Sequence, residues 1–82
     1  MKILYFAQLK DIIGKSEDSI ILKNEISIKN LIIKLKKRNS NYKSAFEKTQ
    51  NLKFAVNCEY VDLEKLVKDK DEIAFFPPVT GG

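Results

Sequence analysis

Five short hydrophobic segments of the sequence predict β-strands, because each is rich in β-branched or aromatic residues and ends at polar or turn-forming ones. They are KILYFA (2–7), SEDSIIL (16–22), KFAVN (53–57), EYV (59–61) and EIAFF (72–76). In the last segment Glu72 marks the solvent side, so Ile73 and Phe75 are expected to point into the core. Pro77 ends this strand, since proline has no N–H to donate to a neighbouring strand.

One segment has clear helical periodicity. Its apolar residues are spaced i, i+3, i+4, i+7, which predicts an amphipathic helix over about 28–38 with Ser27 as its N-cap. Weaker patterns predict a helical stretch over 8–14 closed by Gly14, a short helical segment at 42–46, and a polar connection at 62–71 with a helical turn at Leu63, Leu66 and Val67.

The predicted order of the main elements is β-β-α-β-β, which makes an α+β domain with a mixed β-sheet packed on one main helix. A chain of 82 residues has room for one domain. We place this domain at 1–78, followed by a flexible tail at 79–82. Residues 39–52 carry no pattern that indicates a function.

The sheet face turned away from the helix is also predicted to be apolar. By strand alternation it carries Leu4, Phe6, Ala55, Ala74 and Phe76, with Tyr60 beside them. A contiguous apolar patch on a small domain is typical of a partner site. The alternatives are that this face covers itself, or that the assumed register is wrong by one residue.

Basic residues outnumber acidic ones by 15 to 11, and Lys34, Lys36, Lys37 and Arg38 form a local cluster. Such a cluster is compatible with binding to nucleic acid or to an acidic partner. Base recognition and stacking usually need several arginines or exposed aromatic residues, whereas Arg38 is the only arginine in the chain. The favoured interpretation is a solvated helix face that binds no nucleic acid.

The chain has no histidine and a single cysteine, Cys58. It therefore lacks the commonest general base and the ligands of a zinc or iron–sulfur site, so we expect no metal and no bound cofactor. Cys58 could relay sulfur. The favoured interpretation is a partly buried residue at a strand end, with no histidine or metal beside it to activate its thiol.

A single cysteine cannot form an internal disulfide and is typical of a reducing compartment. The apolar run near Met1 is too short for a signal peptide or a membrane span. These features predict a cytoplasmic protein without a membrane partner.

The segment FFPPVTGG (75–82) suggests a reactive tail. A terminal carboxylate is a poor electrophile, but joining it to AMP makes it a good one. Gly81 and Gly82 remove the side chains that would obstruct a narrow active site, and Pro77 and Pro78 fix the direction in which the tail leaves the sheet. Four residues beyond the prolines reach about 13 Å when extended, which is enough to enter another protein.

Three segments, FFPPVTGG (75–82), KILYFAQL (2–9) and FAVN (54–57), resemble the small subunit of molybdopterin synthase, the MoaD-type sulfur carriers. The resemblance implies a ubiquitin-like β-grasp fold. It implies that an E1-like (MoeB-like) enzyme uses ATP to adenylate Gly82, which is then converted to a thiocarboxylate. The tail, Val79, Thr80, Gly81 and Gly82, would then enter the MoaE-like large subunit and give its sulfur to cyclic pyranopterin monophosphate in molybdenum cofactor biosynthesis.

The resemblance also implies that Phe6, Tyr60 and Phe76 meet both partners, although Tyr60 replaces an expected aliphatic residue. The chain would then be a protein substrate, with catalysis in the large subunit. Two alternatives remain. The first is a sulfur carrier for thiamine or tRNA thiolation, or a protein modifier, all of which share the diglycine. The second, from another class, is a lysine-rich RNA-binding or regulatory module.

Overall fold

Seven strands and three helices lie in the part of the chain that this computed structural model describes, residues 1–49 and 51–78. In chain order they are β1 (Lys2–Tyr5), α1 (Ala7–Ile13), β2 (Glu17–Ser19), β3 (Ile26–Ser27), α2 (Ile28–Lys36), α3 (Ser40–Lys48), β4 (Lys53–Val56), β5 (Glu59–Val61), β6 (Leu66–Val67) and β7 (Glu72–Phe76). The predicted flexible tail at 79–82 lies outside the described residues.

Five of the strands form a mixed sheet in the order β2-β1-β7-β4-β5. The central pair β1 and β7 is parallel, and the other pairs are antiparallel. These are the five strands that the sequence predicts, so the α+β prediction with a mixed sheet is confirmed. A second sheet pairs Ile26–Ser27 with Leu66–Val67. The predicted helical turn at Leu63, Leu66 and Val67 is therefore wrong, because Val67 is fully buried as part of strand β6.

The three helices lie at the three predicted helical segments but differ from them in length. α2 ends at Lys36 rather than near residue 38, and its predicted N-cap is confirmed because Ser27 Oγ accepts a hydrogen bond from the N–H of Asn30 at 3.1 Å. The short helical segment predicted at 42–46 is confirmed as α3, which is longer than predicted because the side chain of Asn39 caps its first turn. α1 is also a full helix of seven residues, closed by Gly14 at φ 90°.

Strand β1 stops at Tyr5, two residues before its predicted end. Phe6 keeps an extended backbone (φ −125°, ψ 154°) but is the N-cap of α1, and Ala7 turns the chain with a φ of 52°. The hydrophobic run KILYFA therefore contains a strand and the start of a helix.

The core lies between the inner face of the sheet and the helices. The predicted inward residues are buried: Ile3, Tyr5, Ile73 and Phe75 are at most 1% exposed. The helices contribute most of the remaining core residues, and strands β4 and β6 add Val56 and Val67; the helical ones are Leu9, Ile13, Ile28, Leu31, Leu35, Tyr42, Ala45 and Phe46. Each large apolar side chain buried in this way contributes about 1.5–3 kcal/mol.

A polar cluster around Asp18 joins β1, β2 and α3 at one side of this core. The Asp18 carboxylate accepts hydrogen bonds from the hydroxyls of Tyr5 (2.9 Å) and Tyr42 (2.6 Å) and from Lys15 Nζ (3.1 Å). Arg38 adds an ion pair at 3.2 Å. Burial raises the pKa of the Asp18 carboxyl, but hydrogen bonds from Tyr42, Tyr5 and Lys15 outweigh that effect, so the pKa lies below its usual value.

Candidate partner-docking face

The predicted outward residues form a continuous row across the sheet. Leu4 is the cross-strand partner of Ala74, Ala74 of Ala55, and Ala55 of Tyr60. Paired residues point to the same side of a sheet, so all four lie on the face opposite the helices. We call Leu4, Phe6, Ala55, Tyr60, Ala74 and Phe76 the outer face. The register assumed from the sequence is confirmed.

The three residues expected at a partner interface are all accessible there. Tyr60 is 76% exposed and Phe6 is 46% exposed, while Phe76 is half-buried. The rings of Tyr60 and Phe76 are in contact, with centroids 5.7 Å apart. Phe6 lies one residue beyond the pair formed by Tyr5 and Phe75, since its N–H donates to the carbonyl of Phe75 at 3.2 Å. An exposed aromatic cluster of this kind is typical of a docking site.

An open groove of about 480 Å³ borders the outer face at the β4–β5 end of the sheet. We call it the edge groove; its lining residues are Leu52, Lys53, Phe54, Tyr60, Val61, Phe76 and Pro78. Sequence reasoning placed Tyr60 and Phe76 at an interface but missed the groove, because Phe54 and Val61 alternate as inward, core-facing residues.

The tail begins at this groove. Pro78 lines it and is also the last described residue before the predicted sulfur-carrying segment. The tail residues Val79, Thr80, Gly81 and Gly82 lie outside the described part of the chain. The edge groove, with Tyr60 and Phe76 of the outer face in its lining, therefore adjoins the point at which the chain continues towards Gly82.

Cys58 differs from its prediction. It is exposed rather than partly buried, and it lies in the two-residue turn between β4 and β5. Asn57 and Cys58 both have positive φ, 49° and 71°, which is the signature of a type I′ hairpin turn. The side chain of Asn57 secures the turn by accepting from the Glu72 N–H and donating to Asp71, both at 3.0 Å. The exposure of Cys58 therefore follows from its place in the hairpin turn.

The basic cluster lies on the helical layer, away from the outer face. Residues 23–49 contain eight basic and two acidic side chains, and the rest of the chain contains seven basic and nine acidic ones. Arg38 is bound to Asp18 at 3.2 Å and its guanidinium lies over the Tyr42 ring at 5.5 Å, so its planar face is not free for stacking on a base. Lys36 pairs with Glu47 at 3.4 Å. These pairs favour the solvated helix face over the RNA-binding alternative.

Two further observations concern only residues 1–49 and 51–78. No cluster of three or more Cys, His, Asp or Glu side chains there is arranged to hold a metal ion. None of the helices there has the length and apolar character needed to cross a bilayer.

The family model of the ThiS family matches residues 3–82, nearly the whole chain. The chain belongs to the ThiS family. One relative of this ThiS family chain is the molybdopterin synthase sulfur carrier subunit of Haemophilus influenzae. The two sequences are 39% identical over 100% of this chain and 99% of the relative.

Solved structures place this ThiS family member among the ubiquitin-like β-grasp proteins, as expected. The putative molybdopterin converting factor subunit 1 of Pyrococcus furiosus superposes with a TM-score of 0.78 at 30% identity, over 95% of each chain. A chain of the complex of subunits 1 and 2 of the molybdopterin-converting factor from Helicobacter pylori superposes with a TM-score of 0.65 at 26% identity, over 99% of this chain and 96% of that one.

Proposed function

We propose that this chain is the sulfur carrier subunit of molybdopterin synthase. The observation that carries the proposal is the match along the whole chain to a relative with that name, at 39% identity. The geometry supports it, because an exposed aromatic face and a groove adjoin the residue from which the tail departs. The name of this relative also favours molybdopterin synthesis over thiamine or tRNA thiolation and over protein modification, which need the same diglycine.

The chemistry of the carrier takes place at Gly82. Its carboxylate attacks the α-phosphate of ATP on an E1-like activating enzyme, and pyrophosphate leaves. A sulfur nucleophile then displaces AMP from the acyl adenylate, which leaves a thiocarboxylate on Gly82. Glycine suits both steps because it brings no side chain into either active site.

The sulfur then passes to cyclic pyranopterin monophosphate in the large subunit. The tail residues Val79, Thr80 and Gly81 extend Gly82 into that active site, where the thiocarboxylate sulfur attacks a carbon of the pterin precursor. The carbon–sulfur bond forms as a carbon–oxygen bond at that carbon breaks and the oxygen group leaves. Hydrolysis of the resulting thioester leaves sulfur on the pterin and returns the Gly82 carboxylate. Phe6, Tyr60 and Phe76 hold the partner while this happens.

The carrier supplies the reactive terminus and the large subunit supplies the catalytic groups. The sequence has no histidine, and its one cysteine lies in an exposed hairpin turn. The Helicobacter pylori structure similar to this chain is a complex of two subunits, which supports a small subunit within a heteromeric enzyme.

Reconstitution tests the proposal. The carrier is charged with sulfur by an activating enzyme, ATP and a sulfur donor, and then mixed with the large subunit and cyclic pyranopterin monophosphate. We expect molybdopterin to form in proportion to the charged carrier, and the uncharged carrier to give none. A charged carrier that leaves the pterin unchanged, while an established carrier converts it, would contradict the proposal.

A further inference from the structure

The edge groove passes around the open edge of the sheet, from its inner face to its outer face. Phe54 and Val61 are cross-strand partners on the inner face, and both are only half-buried. Phe75, the partner of Phe54 on the other side, is fully buried. The helices therefore cover the centre of the sheet and leave its β5 end open.

The outer rim of the groove is continuous with the outer face. Tyr60 and Phe76 belong to both, and Lys53 lies directly opposite Phe76 in the neighbouring strand. Lys53 is exposed and is the only charged side chain that the described residues contribute to the lining. The groove thus combines an apolar floor with a single cation at its rim.

We propose that the edge groove receives an apolar side chain of the large subunit, and that an acidic residue beside it pairs with Lys53. This inference rests on the proposed function, since it names what the partner of the tail places in a second site. The groove adjoins the outer face and the exit of the tail, so a protein that holds the tail lies against it. An apolar floor excludes a charged occupant, and the Lys53 ammonium favours an anion at the rim.

A small-molecule ligand fits the groove less well. Specific pockets for small molecules enclose the ligand and offer several converging polar groups. Here the lining side chains within residues 1–49 and 51–78 offer only the Lys53 ammonium and the Tyr60 hydroxyl, and the groove is open. A protein surface, which supplies its own enclosing wall, satisfies this shape.

The occupancy of the groove can be measured by methyl NMR on the full-length carrier. The methyl groups of Leu52 and Val61 line the groove, whereas those of Ile21 (84% exposed) and Ile33 (44% exposed) do not. On addition of the large subunit from the same organism, we expect the Leu52 and Val61 signals to shift and to lose their broadening by a soluble paramagnetic probe. The Ile21 and Ile33 signals serve as controls. They should keep their positions and their broadening by the probe.

The role of Lys53 is tested by charge reversal. Lys53→Glu is expected to weaken binding of the large subunit by about tenfold, because it places a carboxylate against the partner's acid. Lys23→Glu makes the same change in net charge on a loop away from the groove, and its effect should stay below about twofold. Equal losses from the two variants would reduce Lys53 to a contributor to net charge and overturn its proposed pairing.

The outcomes separate this inference from the proposed function. If the large subunit binds and Phe76→Asp abolishes that binding, but the Leu52 and Val61 methyl signals do not change in the wild-type complex, the groove is empty. The inference then fails while the proposed function stands. If the wild-type carrier does not bind the large subunit at any accessible concentration, both fail.

Discussion

At the scale of single residues, the hairpin turn at Asn57 and Cys58 uses a backbone conformation that favours glycine. Cys58 has a φ of 71°, in the left-handed region that costs a residue with a Cβ about 1–2 kcal/mol. Its exposure means that its side chain gives little packing in return. The turn therefore carries strain that a substitution can remove.

We predict that Cys58→Gly raises the free energy of unfolding by about 0.5–1 kcal/mol, since part of the relieved strain is offset by the greater freedom of glycine in the unfolded chain. Thermal denaturation should show a melting temperature higher by about 2–8 °C. Cys58→Ala is the matched control, because it keeps the Cβ and should leave the melting temperature nearly unchanged. A higher melting temperature for both variants would show that the thiol, not the backbone, limits stability.

The same two variants test the chemistry of Cys58. We predict that both transfer sulfur as fast as the wild type, because we assign the chemistry to the carboxylate of Gly82 and none to the thiol. Single-turnover conversion of the pterin precursor by the charged carriers measures this directly. A loss of transfer in both variants, with partner binding retained, would show that the thiol takes part.

Asp18 predicts a pH dependence of stability. Its folded pKa lies below its usual value, so its contribution is complete above the unfolded pKa of about 3.9 and is lost as the pH falls through the folded pKa. Asp18→Asn should lose about 2–3 kcal/mol at neutral pH, because two tyrosine hydroxyls and Arg38 lose a charged acceptor. Urea denaturation between pH 7 and pH 2 should show the difference between the two proteins shrinking below about pH 4. A constant difference over this range would contradict the assignment.

At the scale of elements, the sequence predicts the strands better than what lies between them. Five strands and both sheet faces follow from alternation. Ile3, Ile73 and Phe75 are predicted to point into the core because they alternate with positions that a charged residue marks as the solvent side. Ser27 and Gly14 predict the ends of helices by side-chain and backbone chemistry that acts locally. These features depend on near neighbours in the chain, so the sequence shows them directly.

The missed elements depend on distant partners. Leu66–Val67 becomes a strand only because Ile26–Ser27 lies beside it, and nothing within 62–71 shows that pairing. The Asp18 cluster gathers residues from 5 to 42, and the edge groove exists because the helices stop short of Phe54 and Val61. Tertiary packing of this kind overrides local propensity.

The outer face gives a prediction at this scale. Phe76→Asp should weaken binding of the large subunit at least tenfold, because the complex must desolvate a carboxylate within the outer face. Phe6→Asp should act in the same direction. Isothermal titration calorimetry measures the affinity, and circular dichroism checks that the half-buried position tolerates the change.

Phe75→Asp is the contrasting variant, since that side chain is fully buried and its replacement should unfold the domain. Unfolding by Phe76→Asp instead would invert the assigned faces.

At the scale of the whole molecule, the two layers of the domain have different surfaces. The helical layer carries most of the excess positive charge, and the sheet presents an apolar face beside the exit of the tail. The fold thus places Pro78 next to the proposed docking surface and keeps most of the excess positive charge, which favours solubility, on the other side. We propose that in this arrangement the domain binds the partner and the tail carries the chemistry.

The central claim is that the carboxylate of Gly82 carries the sulfur, and mass spectrometry of the carrier tests it most directly. The carrier is incubated with the activating enzyme, ATP and a sulfur donor. We predict one oxygen-to-sulfur exchange at Gly82 in the wild type and none after deletion of Gly82. The deletion moves the terminal atom by about 3.5 Å, far beyond the ~1 Å misplacement that costs about a hundredfold in rate. Gly82→Ala keeps the reach and should be milder. A protein lacking Gly82 that still gains sulfur and supports pterin sulfuration would contradict the claim.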